Sequence, residues 1–123
     1  MPLDPITLVT VPPFEKNLSQ FIDSDKSFQV TVRNLDGITP TNITSWTVSF
    51  VVHAYGDPNV VYITKIVSSG ITISGALQGL LTIAVDDDDT VNMPPGSYEY
   101  RLERTNAGVE YVIGRGLYTL LAK

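Results

Sequence analysis

The chain reads as all-β, a two-layer sandwich of about seven strands. Three observations predict it. Several segments alternate apolar and polar residues with period two, which puts every other side chain on one face of a strand. Turn-forming residues separate those segments at frequent intervals. No segment carries an apolar stripe at helical spacing.

The elements follow in order. Residues 1–20 interleave Pro2, Pro5, Pro12 and Pro13 with Ile6, Leu8, Val9 and Val11, and read as an extended N-terminal arm with one edge strand near Ile6–Val11. An arm this apolar packs on its own domain or on a neighbouring subunit, and the neighbour is the expectation adopted. Residues 21–123 are expected to form the sandwich domain. In Lys26 to Arg33, Phe28, Val30 and Val32 alternate with Gln29, Thr31 and Arg33. Trp46, Val48, Phe50 and Val52 alternate with Thr47, Ser49 and His53; Leu81, Ile83 and Val85 repeat the pattern, as do Tyr98, Tyr100 and Leu102. β-Branched and aromatic residues fill these runs, as half-buried pleated surfaces favour. Turns are expected at Asp36-Gly37, Gly56-Asp57-Pro58-Asn59, Ser68-Ser69-Gly70 and Pro94-Pro95-Gly96. Asn106-Ala107-Gly108 reads as the turn of a hairpin. Asp86-Asp87-Asp88-Asp89-Thr90 suits a short helical turn near residues 87–92, because aspartate accepts free backbone N–H groups and favours the dipole there.

Composition narrows the function classes. The chain has 123 residues, enough for one domain, and its 43% hydrophobic content supports a core. Cysteine is absent, so disulfides, thiolate nucleophiles and cysteine-bound zinc are all excluded. The net charge is −5, from eight Lys and Arg against 13 Asp and Glu, and no basic run is visible. Nucleic acid is therefore not an expected partner. No apolar run approaches the ~20 residues that cross a bilayer, and the start of the chain lacks a basic region followed by an apolar stretch. A membrane is not expected, and synthesis in a cytoplasm is.

The order of motifs then resembles the immunoglobulin-like domains of bacteriophage and prophage structural proteins. Phe21-Ile22-Asp23-Ser24-Asp25-Lys26-Ser27-Phe28 looks like their polar turn and opening strand, and Asn42 through Phe50 like the next strand. Gly70-Ile71-Thr72-Ile73 and Gly79-Leu80-Leu81-Thr82-Ile83 resemble their consecutive short strands. Asp89-Thr90 through Met93-Pro94-Pro95-Gly96-Ser97-Tyr98-Glu99-Tyr100 matches their helical turn, Pro-Gly pair and Tyr-rich strand, and Gly114-Arg115-Gly116-Leu117-Tyr118-Thr119-Leu120 their closing strand. The resemblance spans about residues 21–121. It implies an immunoglobulin-like sandwich in a virion, made in the host cytoplasm, with other virion proteins and copies of itself as partners. It implies no catalytic residues, no cofactor and no small-molecule substrate. With neither a coiled coil nor a receptor-binding domain following, a small accessory subunit is expected, at the head surface as a decoration, at the neck, or in the tail or baseplate.

Candidate residues are few. Partner contact is expected from Ile6, Leu8, Val9, Val11 and Phe14 of the arm. The single histidine, His53, falls on the polar phase of its strand and is expected at the surface or in an interface; no G-x-S-x-G elbow accompanies it. Gly114-Arg115-Gly116 lacks the third glycine and the helix of a phosphate cradle, and reads as a bulge or a close backbone approach. Asp86 and Asp88 are weak calcium candidates, since calcium takes oxygen ligands but consecutive residues cannot all face one ion. Asn17-Leu18-Ser19 and Asn42-Ile43-Thr44 are chance sequons. Trp46, Tyr98 and Tyr100 fall in the inward phase, whereas Tyr55 and Tyr62 flank a turn. Those two are the glycan-stacking candidates of an alternative reading, a glycan-binding adhesion module.

Overall fold

The computed structural model describes residues 6–10, 14–34 and 36–123, with side chains from residue 15 onward. The protein is all-β, as the alternation predicts. Its strands are β1 (Ile6–Thr10), β2 (Phe14–Glu15), β3 (Leu18–Phe21), β4 (Lys26–Val32), β5 (Val48–Ala54), β6 (Asp57–Val67), β7 (Gly70–Gly75), β8 (Leu80–Val85), β9 (Gly96–Arg104) and β10 (Tyr111–Leu121). A 3-10 turn at Ala76–Gln78 joins β7 to β8, and one short helix, α1 (Asp87–Thr90), lies where the acidic run predicts it.

The strands join into one hydrogen-bonded path, β1-β4-β8-β7-β6-β5-β9-β10-β2, with β3 also pairing β10. The mixed sheet curls until it is nearly a barrel. Seven of the described strands, β4 to β10, fall within residues 21–123, as expected for the sandwich; the N-terminal segment adds β1, at the edge strand expected near Ile6–Val11, and the short β2 and β3. β4 and β8 face β5, β9 and β10 across one core. There Tyr118 stands edge-on to Phe28 at 6.2 Å and to Phe50 at 6.4 Å, and Phe50 meets Tyr100 at 5.6 Å. Such edge-to-face pairs add to the stabilisation from burial. The inward-phase residues named above are all buried: Phe28, Val30, Val32, Trp46, Val48, Phe50, Val52, Leu81, Ile83, Val85, Tyr98, Tyr100 and Leu102. Arg104 stacks over the Trp46 ring, its guanidinium carbon 4.2 Å from the ring centroid.

Both ends of the path are supplied by the N-terminal segment. β1 runs parallel to β4, Ile6 opposite Phe28 through Thr10 opposite Val32. β2 and β3 run parallel to β10, Phe14 opposite Gly114 and Leu18–Phe21 opposite Tyr118–Leu121. The segment read from the sequence as a separate arm thus contributes three strands to its own chain's sheet. Leu18 and Gln20 are buried in it, so its last residues belong to the core. Another difference lies in β6, which starts at Asp57, inside the expected Gly56–Asn59 turn.

Candidate functional site

Local chemistry explains how the N-terminal segment is held. Gly116 has no side chain, and a Cβ there would run into the carbonyl of Lys16. The glycine thus allows the close approach its sequence context predicts, beside a bulge between Val112 and Gly114. The Tyr100 hydroxyl donates to the Lys16 carbonyl at 2.5 Å, and the Lys16 N–H donates to the Arg115 carbonyl at 3.1 Å. Asn17 Oδ1 accepts from the Leu117 N–H at 3.2 Å, which employs the asparagine of the first chance sequon in structure. Further along, Gln20 accepts from the Tyr118 hydroxyl and donates to the carbonyls of Ser24 (2.7 Å) and Val85 (3.3 Å). Of the expected partner-contact residues, Ile6, Leu8 and Val9 lie on β1 and Phe14 on β2. Their side chains, and Val11 altogether, are outside the described residues.

The outer face of β5, β9 and β10 carries a groove of about 390 Å3, lined among others by Glu15, Asn17, His53, Glu99, Arg101 and Arg115. His53 is not at the surface as its phase predicts. It lines the groove but is only 7% exposed, because β5 is buried at Val51 and His53 as well as on its inward phase. Its Nδ1 lies 2.9 Å from the Ala54 carbonyl, which only accepts, so Nδ1 is the donor of this pair. Glu99 sits opposite His53 in the ladder, yet its carboxylate is taken up by the Gly56 N–H at 2.8 Å. Among the described residues, no serine, threonine or cysteine lines the groove beside His53. Arg101 and Arg115 stand directly opposite each other, and each is offset by a carboxylate, Glu103 and Glu15 respectively.

The acidic turn is tied up internally. Asp89 accepts from the Asp86 N–H at 2.7 Å and pairs with Lys65 at 2.7 Å, and Asp25 accepts from the Asp87 N–H at 2.8 Å. Asp86 and Asp88 remain exposed. Among the described residues no group of three His, Asp or Glu side chains is placed to hold a metal ion.

The third surface is the β5–β6 hairpin. Tyr55 is 68% exposed at its tip. Tyr62 is 43% exposed and stands edge-on to buried Tyr98 at 5.2 Å. Val60, Val61 and Ile66 on the same strand are also exposed. This patch has no period-two signature, and the sequence marks only its two tyrosines.

No protein-family model matches the chain, and no curated protein matches it either. Among solved structures, the fold is that of a phage protein domain. The chain is similar to the N-terminal domain of phage TP901-1 ORF48, with a TM-score of 0.54 and 15% sequence identity over 94% of this chain and 95% of that one.

Proposed function

We propose that this protein is a non-enzymatic bacteriophage virion structural protein. It is a small accessory subunit of the head surface, neck, tail or baseplate that assembles by docking to other virion proteins and to copies of itself. The observation that carries the reading is the near end-to-end fold match to a phage protein domain. Strand order supports the immunoglobulin-like form of the reading. β4-β8-β7 and β5-β9-β10 follow the order in which the two sheets of such sandwiches are built. The non-enzymatic part follows from the resemblance to phage structural domains, which implies no catalytic residues.

In this reading the N-terminal segment is the assembly element, exchanging its β1 pairing between neighbouring subunits as main-chain β-augmentation. The test is a protein lacking residues 1–13, which keeps β3 and the buried Leu18 and Gln20. It is expected to fold but to be missing from purified particles. Normal incorporation of the truncated protein would sink the proposal.

A glycan-binding role at Tyr55 and Tyr62 is the second reading, favoured by their exposure. Titration with host surface polysaccharide tests it, since saturable chemical-shift changes at these two residues appear only if they bind sugar.

A further inference from the structure

The groove over β5, β9 and β10 is lined by flat polar side chains that the fold already holds in place. Neighbouring strands bring them together: His53 stands opposite Glu99, and Arg101 opposite Arg115, which has Glu15 on its other side. Each is fixed through one polar atom and carries another. Arg101 donates to Glu103 through Nε and keeps two Nη groups. Arg115 Nη2 donates to Glu15 Oε1 at 2.9 Å, and Glu15 has a second oxygen. Glu99 Oε1 accepts from the Gly56 N–H at 2.8 Å, and Asn17 Oδ1 from the Leu117 N–H at 3.2 Å. The Glu99 Oε2 and the Asn17 amide nitrogen are the other ends of those groups. His53, held through Nδ1, adds a buried polar ring to the same lining. Side chains positioned in advance lower the ordering cost of binding a ligand.

We infer that this groove binds a small neutral saccharide. Its volume of about 390 Å3 lies at the small end of the ~300–1,000 Å3 range of small-molecule sites. Hydrogen-bond chemistry selects the ligand class. Guanidinium groups only donate and carboxylates only accept, whereas a hydroxyl does both. An anion has nothing to donate to Glu15 and Glu99, and an ammonium nothing with which to accept from Arg101 and Arg115. Formal charge agrees. The two arginines cancel Glu15 and Glu99, and Glu103 beside Arg101 leaves one negative charge over, which repels an anion. Leu117, half-buried in the same lining, offers an apolar contact to the C–H face of a sugar ring. The inference rests on the glycan-binding reading for its ligand class, but it moves the site from the exposed Tyr55 and Tyr62 to the groove.

The experiment follows the assigned backbone amides of the full chain by NMR during titration with methyl glycosides of glucose, galactose, rhamnose and N-acetylglucosamine. Sodium phosphate and glucuronate are titrated separately as anions. Saturable shifts are expected at the amides of Asn17, Glu99, Arg101 and Leu117 with at least one glycoside, and none with phosphate. Arg101→Met keeps the reach of the side chain and removes its donors. It is expected to weaken binding about tenfold, as the loss of hydrogen bonds to a charged group does, while the amide spectrum of β4 and β8 stays that of the folded chain. Silence toward every glycoside overturns this inference and the hairpin reading together. Shifts confined to Tyr55, Tyr62 and their neighbours overturn the groove alone. So do shifts produced only by phosphate or glucuronate, or a folded Arg101→Met chain that binds as the unaltered one does.

Discussion

The hydroxyl of Tyr118 is fully buried and donates to Gln20, whose amide in turn reaches the carbonyls of Ser24 and Val85. Polar atoms at such depth are costly when a partner is lost. Tyr118→Phe leaves the Gln20 oxygen without its donor, and is expected to lower stability by ~1–3 kcal/mol in urea unfolding. Burial pushes the phenols of Tyr100 and Tyr118 well above their ordinary range, with the Asp89 charge adding to the effect at Tyr118. A phenol whose folded-state pKa is raised contributes stability that is fully present below the unfolded value near ~10 and is lost as pH rises toward the folded value. The urea midpoint is therefore expected to hold level from neutral pH to about pH 9 and then fall steeply. Replacing both tyrosines with phenylalanine should flatten that fall, whatever it does to stability at pH 7. The inward placement of Tyr98 and Tyr100 was legible in their alternation. Gln20 was not, because a glutamine earns a core position only through donors and acceptors brought from distant strands. Nor was the burial of His53, whose strand is buried at Val51 and His53 on the phase that alternation assigns to solvent.

Among the elements, the clearest strands in the sequence are those with one covered face, β4, β8 and β9. β6 shows how length can hide from pattern reading. It is one of the two longest strands, yet Asp57-Pro58-Asn59 reads as a turn and Val60-Val61-Tyr62 breaks the period. Irregular pairing with β5 accounts for both, because extra residues on β6 shift the phase of everything before Ile63. β3 is only four residues long, below the length at which alternation separates from chance. Its weight in the core is nonetheless measurable: Leu18→Ala is expected to cost ~2–5 kcal/mol, read as a shift in denaturant midpoint. Gly116→Ala tests the docking of the neighbouring residues. The added methyl meets the Lys16 carbonyl, so amides of residues 15–17 should exchange faster with solvent while those of β4 and β8 keep their protection. Equal protection throughout would show that Lys16 yields without cost.

At the scale of the whole molecule, cysteine is absent, so no disulfide contributes, and the described strands are held by a packed core, strand pairing and side-chain hydrogen bonds. Melting is expected at the same temperature in chelator and in millimolar calcium, measured by calorimetry; a higher melting temperature in calcium would support Asp86 and Asp88 as ligands. An all-β chain could be read from the sequence because period and turns are local. Closure of the sheet could not, because it depends on which distant strands accept the N-terminal segment.

That closure has a mechanical side. β3 and the final strand β10 run in the same direction, Leu18 beside Tyr118 and Phe21 beside Leu121. Tension drawing the residues before β3 away from those after β10 acts along both strands in opposite senses. It loads the bonds between them together, in shear, rather than peeling them one by one as in an antiparallel hairpin pulled from its open end. Pulled from the residues flanking them, β3 and β10 thus resist in shear.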